Sequence, residues 1–529
     1  MNAGAEVSGR ARRLAALLPA LFALVMVAWP LAAILRRGFA PEGSLALDAL
    51  EDLFRSSRSR RVIAFTVEQA ALSTGLTLLV GLPAAWATSR RWRGAAVVRA
   101  LFTVSFVLPT VVMGIAVRSF LDRGLLAIVL AHAAFNVAVV ARIVGAAWAQ
   151  LDPTEEDAAQ TLGASPPRAF LDVTAARLAP SIAAAALITF LFSFTSFGVI
   201  AVLGDARTAT IEIEIWRSAR TLALDRAAAL TLVQLVVVVV VLWLASWAGR
   251  PNVEVARVPQ ALRARSPLLV AAAVAPAVAI VGLPLAVLFF SALRPRGSFS
   301  LAAARALVSD DTALAVRPIE ALGTSLRFCA VATVVAGVVG GLAAFALAGR
   351  RTRSRRGLDA VLMLPLGVSA VTLGYGYLIT FDEPPLELRA HWWIVPLAHA
   401  AVAVPFVVRA VLPALRSIDP RWREAAGTLG AAPSRAWRDV DLPLAARSFS
   451  VGVGFAAAIS LGEFGATALL AREGTPTAPF AIARLLGQPG DRNVLGARAL
   501  AIALGALTTV IVLLTERGGG WANVRDRRA

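Results

Sequence analysis

Two short polar stretches stand out from an otherwise apolar chain by the chemistry they carry. One runs Asp152-Pro153-Thr154-Glu155-Glu156-Asp157-Ala158-Ala159-Gln160-Thr161-Leu162-Gly163, the other Asp419-Pro420-Arg421-Trp422-Arg423-Glu424-Ala425-Ala426-Gly427-Thr428-Leu429-Gly430. They are 267 residues apart (419 − 152, and again 430 − 163), and the offset continues through Arg168/Arg435, Asp172/Asp439 and Val173/Val440. Carboxylates beside alanines, without a nucleophile or a histidine, offer charge and shape rather than a reaction. Asp suits a helix N-cap, Pro the first helical position, and Gly the left-handed residue that ends a helix. A short polar helix held between two turns and kept twice predicts a docking element for another protein.

No other constellation supplies chemistry. The three histidines, His132, His391 and His399, are scattered, and the chain has one cysteine, Cys329. That excludes a metal site of ordinary ligand spacing and an intrachain disulfide. No nucleophile–His–carboxylate grouping is legible, so the chain reads as a non-enzyme. Glu463 lies in an apolar run, where an ionised carboxylate costs about 2.5–3.5 kcal/mol. It reads either as a pore residue facing a cationic solute or as one partner of a helix–helix hydrogen bond. Ser196 occupies its place in the other half, and Phe197-Gly198 matches Phe464-Gly465. Asn136 reads as interhelical glue or a substrate ligand. Ser196, Phe197, Glu463, Phe464 and Asn136 are therefore the candidate substrate path.

The elements that position these residues follow from composition. The chain has 529 residues, 58% of them hydrophobic, and a net charge of +19 without a single lysine. Apolar stretches of about 20 residues recur along its whole length, which predicts an all-α, polytopic membrane protein. Expected spans lie near 14–35, 63–87, 96–120, 125–148, 181–203, 227–247, 268–290, 321–347, 358–380, 392–411, 449–470 and 494–514. Pro109 should kink the third, and Thr210-Ile211-Glu212-Ile213-Glu214-Ile215-Trp216 falls in a polar loop after the fifth. The first run is too long for the core of a signal peptide and is expected to remain as a span. Arginines gather in loops between spans, which argues for the membrane surface and against nucleic acid. Both Ala-rich loops and both termini are expected in the cytoplasm; the loop 36–61, with its six arginines, fits least well.

The duplication reaches beyond the loops. Leu130-Ala131-His132-Ala133-Ala134 matches Leu397-Ala398-His399-Ala400-Ala401, and Leu108-Pro109 pairs with Leu364-Pro365 at 256 (364 − 108). Six spans per copy make the repeats parallel. The expected organisation is one repeat at 1–248 with its polar loop near 152–173, a basic linker at 249–267, and a second repeat at 268–529 with its loop near 419–440.

Glu424-Ala425-Ala426 followed by Gly430 resembles the EAA motif of type I ABC importer permeases, and Asp157-Ala158-Ala159 with Gly163 is a second copy. Ser460-Leu461-Gly462-Glu463-Phe464-Gly465 and Ala209–Trp216 resemble parts of the fused permeases for ferric iron and thiamine. The resemblance implies a multi-pass cell-membrane protein whose residues Asp157, Ala158, Ala159, Gly163, Glu424, Ala425, Ala426 and Gly430 form two ATPase-coupling sites. It also implies two copies of an ABC ATPase subunit and an extracytoplasmic solute-binding protein as partners. ATP and Mg would be bound by that partner ATPase, since a phosphate-binding loop needs a lysine that this chain lacks. Thiamine or ferric iron is the expected solute. An ion-coupled secondary transporter with two parallel six-helix halves is the alternative.

Overall fold

Among the described residues ten helices are long and apolar enough to cross a membrane, and two further helix pairs are sharply bent, giving up to twelve spans if each pair counts as one. The computed structural model describes residues 3–39, 48–205, 207–248, 266–295, 297–349, 352–382, 384, 386–472 and 474–518. Residues 249–265 of the expected linker, residues 40–47 of the first loop, Arg350, Arg351 and the tail arginines beyond 518 lie outside the described residues. Among the described residues there is no strand.

In chain order the helices are α1 (Ala11–Phe39), α2 (Ser57–Thr88), the bent pair α3 (Ala95–Val107) and α4 (Thr110–Arg118), and α5 (Leu125–Trp148). There follow α6 (Pro153–Thr161), α7 (Pro166–Phe194), α8 (Gly198–Leu203), α9 (Ile211–Arg220) and α10 (Leu224–Ala248). Then come α11 (Pro267–Leu293), α12 (Pro318–Leu347), the bent pair α13 (Arg353–Gly367) and α14 (Ala370–Thr380), and α15 (Ile394–Ser417). The last are α16 (Pro420–Thr428), α17 (Pro433–Gly462), α18 (Thr467–Leu470), α19 (Ala478–Leu486) and α20 (Asp491–Gly518).

These helices form two compact units that cut across the sequence repeat. One contains Asp52–Glu214 and Leu232–Ser300; the other contains Met1–Glu51, Ile215–Thr231 and Leu301–Ala529. In the first, α2 and α5 pack along each other and α11 closes on them through Ala277 and Val281. In the second, α12, α15 and α17 form the centre, and α1 joins through Ala23. The first long helix of each repeat thus belongs to the unit built mainly from the other repeat.

Alanine and valine dominate these cores, as expected where lipid gives helices no hydrophobic reason to associate and close backbone approach must supply dispersion. A Cβ on Gly81 would sit 2.9 Å from Cβ of Val140, and one on Gly340 would sit 2.7 Å from Cβ of Val407. The same crossing is therefore made twice, α2 on α5 and α12 on α15.

Three expectations need correction. The third span is broken rather than kinked, with a bend of 103°, and the ninth is broken in the same way at 110°. Leu108-Pro109 and Leu364-Pro365 are not equivalent in space: Gly198 lies against Thr110 and Val111, while Gly465 lies against Ala370 and Val371, an offset of 260 (370 − 110). The second break falls where Ser369 can cap it, accepting from the Thr372 N–H at 3.0 Å, and Pro365 stays inside α13. Finally, 211–220 is a helix, not a polar loop. Its first N–H donates to Thr66 Oγ1 at 3.0 Å, as that of α19 at Ala478 donates to Ser325 Oγ at 2.8 Å. Buried Glu212 and Glu214 accept from Gln234 Nε2 (2.6 Å) and Arg58 (3.0 Å).

Candidate functional site

The two duplicated loops fold into α6 and α16, and their ends are built alike. Asp152 accepts from the Thr154 N–H at 3.0 Å and Asp419 from the Arg421 N–H at 2.9 Å, each before a proline at the first helical position. At the other end Ala164 N donates to Ala159 O (3.1 Å) and Gly163 N to Gln160 O (3.0 Å). Ala431 N to Ala426 O and Gly430 N to Gly427 O, both 3.0 Å, repeat the pattern. This six-to-one and five-to-two pair closes a helix only when the residue after the last turn is left-handed. Gly163 has φ +93° and Gly430 +80°. No atom lies within 4 Å of a Cβ built on either, so backbone angle alone demands glycine there.

Neither helix buries a residue. Asp157, Ala158 and Gly163 are exposed and Ala159 half-buried; Glu424, Ala425, Gly430 and Ala426 repeat that pattern. Leu162 and Leu429 stand at equivalent places and both are 89% exposed. Among the described residues neither the Asp157 nor the Glu424 carboxylate makes a hydrogen bond or ion pair. Each loop therefore presents a carboxylate, small residues and one leucine outward, a surface that another protein can cover.

What fixes these helices was not legible in advance. In the first copy Thr174 donates its hydroxyl to Glu156 at 2.6 Å, and Arg177 pairs with Glu155 at 2.8 Å. In the second, Arg423 Nε donates to both Asp441 oxygens at 2.8 and 2.9 Å. Positions 156 and 423 are equivalent, as are 174 and 441 (423 − 156 and 441 − 174 are both 267). The hydrogen bond to Asp441 holds the Arg423 guanidinium above its usual pKa, so this cation does not titrate. Both anchors sit in π-helical turns, Phe170–Ala175 and Trp437–Asp441, where one extra residue per turn re-aims the side chains. The signal was available in the constant offset, but the polarity is reversed between copies, which hides it.

The intramembrane candidates divide between the units. Asn136 is buried and donates to Ser193 Oγ at 3.3 Å, on α7. Ser196 is half-buried and Phe197 buried at the break between α7 and α8. In the other unit buried Glu463 accepts from the Ala466 N–H at 2.8 Å and so caps α18; Phe464 beside it is also buried. His399 bridges Ser460 (3.0 Å) and Thr467 (2.8 Å), and His132 reaches Ser73 at 3.1 Å. Tyr375 and Tyr377 bury their rings and donate to the carbonyls of Leu224 (2.6 Å) and Met26 (2.8 Å).

Residues 77–250, which include α6 and the helices on both sides of it, match the family described as binding-protein-dependent transport system inner membrane component. A putative 2-aminoethylphosphonate transport system permease protein of Salmonella choleraesuis is 32% identical over 240 residues, 45% of this chain and 89% of that protein. The chain belongs to this permease family. A thiamine transport system permease protein of Brucella abortus is 27% identical over 493 residues, 86% of this permease and 87% of the relative. A match of that extent reaches across both loops. The first relative matches one copy's worth. The permease is accordingly a fused type I ABC importer permease, an all-α inner-membrane component.

Proposed function

We propose that this chain is the complete membrane pathway of an ABC importer, with thiamine as its solute. The observation that carries the reading is the pair of exposed, identically capped helices α6 and α16, each tied to the start of the long helix that follows. Two copies of a separate ATPase subunit would cover them, one per helix, on the cytoplasmic side. ATP-driven closure of those subunits moves each docking helix as a rigid body, and the ties at Thr174 and Asp441 pass the motion to α7 and α17. The two repeats, 1–248 and 268–529, then alternate between outward and inward openings. An extracytoplasmic binding protein delivers the solute, and ATP and Mg act only on the partner. Thiamine is favoured over ferric iron by the similarity to the thiamine permease along most of the chain. The similarity of one half to an aminoethylphosphonate permease supports 2-aminoethylphosphonate as a second reading.

The test is uptake of labelled thiamine, ferric iron and 2-aminoethylphosphonate by cells with and without this gene. Loss of thiamine accumulation on deletion, restored by the gene and abolished by ATP depletion, is expected. Uptake that survives ATP depletion but collapses with the proton or sodium gradient would instead establish the secondary-transporter alternative.

A further inference from the structure

Each unit contains an arginine-lined cleft at the end where α6 or α16 begins, and the two clefts are the same place in the two repeats. The first, about 700 Å³, lies between α3 and the last turns of α5. The second, about 320 Å³, lies between α13 and the last turns of α15. Their walls correspond position by position: Arg142 with Arg409 and Ala149 with Arg416 (267), Arg99 with Asp359 and Thr103 with Met363 (260).

The charge is kept while its sources change. Arg90, Arg91, Arg99 and Arg142 line the first cleft, with no acidic residue in its wall. Arg355, Arg356, Arg409 and Arg416 line the second, with Asp359 as the one acidic residue in its wall. Only Arg142 and Arg409 are shared. In each cleft one guanidinium donates at 3.1 Å to the last carbonyl of the preceding span, but from opposite walls: Arg99 to Thr88 O, Arg416 to Leu347 O. Arg90 also faces Glu156 across a smaller recess, so the first cleft's excess rests on the other three. Exposed Arg142 makes no ion pair among the described residues, and Arg409 reaches only the sulfur of Met363 at 3.2 Å.

Like charges repel, so an excess of arginine gathered twice by different residues favours an anion between them. Forked guanidiniums match phosphate oxygens. The surroundings say which phosphate. Trp92 and Phe102 give the first cleft an apolar floor, and Val97, on α3 between Ala96 and Arg99, is 72% exposed, as a residue against lipid would be. Basic recesses between transmembrane helices at this level take lipid headgroups. We propose that the two clefts bind the phosphate groups of anionic phospholipids, one per repeat. The inference rests on the membrane-embedded permease reading and not on the identity of the solute.

The purified full chain in detergent is mixed with phosphatidylglycerol, phosphatidylcholine or inorganic phosphate and examined by native mass spectrometry. Preferential retention of about two phosphatidylglycerol molecules is expected, with phosphatidylcholine lost first. Arg142→Gln with Arg409→Gln should weaken retention about fivefold per arginine removed, while the Lys replacements keep it. Should the double Gln variant not fold, competition on the unaltered chain decides. Equal retention of phosphatidylcholine, or unchanged retention in the Gln variant, would overturn the proposal. Displacement by inorganic phosphate at matching concentration would make the clefts soluble-anion sites and overturn the lipid assignment. None of these readouts depends on transport.

Discussion

Arg423 holds Asp441 with both carboxylate oxygens bonded to its Nε, and does so at the positions where Glu156 holds Thr174 in the other repeat. One brace has been built twice from different chemistry, with the donor on the docking helix in one copy and on the long helix in the other. Asp441 is 3% exposed, so its carboxylate relies on the hydrogen bonds that Arg423 supplies.

Arg423→Ala should therefore release α16 and strand a buried carboxylate, a change that typically costs about 3–5 kcal/mol. Arg423→Glu should be worse, since it sets two carboxylates together. Combining it with Asp441→Thr recreates the first copy's pair and should recover most of the transport lost. Amide hydrogen exchange across Pro420–Thr428, with uptake at matched abundance, checks this. Equal exchange in the single and double variants would show that the brace does not hold the helix.

The turn after each docking helix gives a second expectation. At φ +93° and +80° a Cβ costs about 1–2 kcal/mol, and nothing nearby adds a clash. Gly430→Ala should lower uptake modestly, Gly430→Asn less, because Asn tolerates the left-handed region. Gly430→Pro should lower it most, because proline takes neither the angle nor the N–H bond to Gly427. Gly163 should follow the same order. Membrane abundance, read by blot, should stay constant throughout; indifference of uptake to all three would leave the loops as mere connectors.

How much of this was readable depended on whether the determinant was local. The ends of α6 and α16 follow from residues within a turn of each other, and Asp152, Pro153 and Gly163 marked them. Most spans follow from hydropathy. The helix at 211–220 did not, because Glu212 and Glu214 alternate with isoleucines in a run that looks like a solvated loop. Their partners Gln234 and Arg58 lie far off in sequence. The correspondence of Leu108-Pro109 with Leu364-Pro365 misled because a Leu-Pro match is a weaker guide than the cap at Ser369. Glu463 looked costly in an apolar run; in the fold its carboxylate caps α18, a partner that no side-chain pattern announces.

Close packing supplies a stability prediction. Gly81→Leu should push α2 from α5, and Gly340→Leu should push α12 from α15, since Val140 and Val407 already occupy the space. Overpacking of this kind costs about 1–3 kcal/mol. Val140→Ala should rescue the first and Val407→Ala the second, but not crosswise. Thermal unfolding in detergent reads the effect, and crosswise rescue would mean the two crossings are not independent.

The last expectation concerns the exposed leucines, and it separates docking from folding. Leu162 and Leu429 touch almost nothing in the permease, at 89% exposure each, so Leu162→Asp and Leu429→Asp should leave its stability within about 0.5 kcal/mol. An apolar side chain held out by a rigid, capped helix is nonetheless what a partner's pocket would bury, and an aspartate there would have to be desolvated. Native mass spectrometry of the assembled transporter should show one permease with two ATPase subunits. Either single substitution should leave a permease with one ATPase, and the double substitution should leave the permease alone. Two permease chains per two ATPases in the unaltered complex would contradict the two-docks-in-one-chain arrangement. Full ATPase retention in the double variant would show instead that the partner binds elsewhere and that α6 and α16 do not carry the coupling.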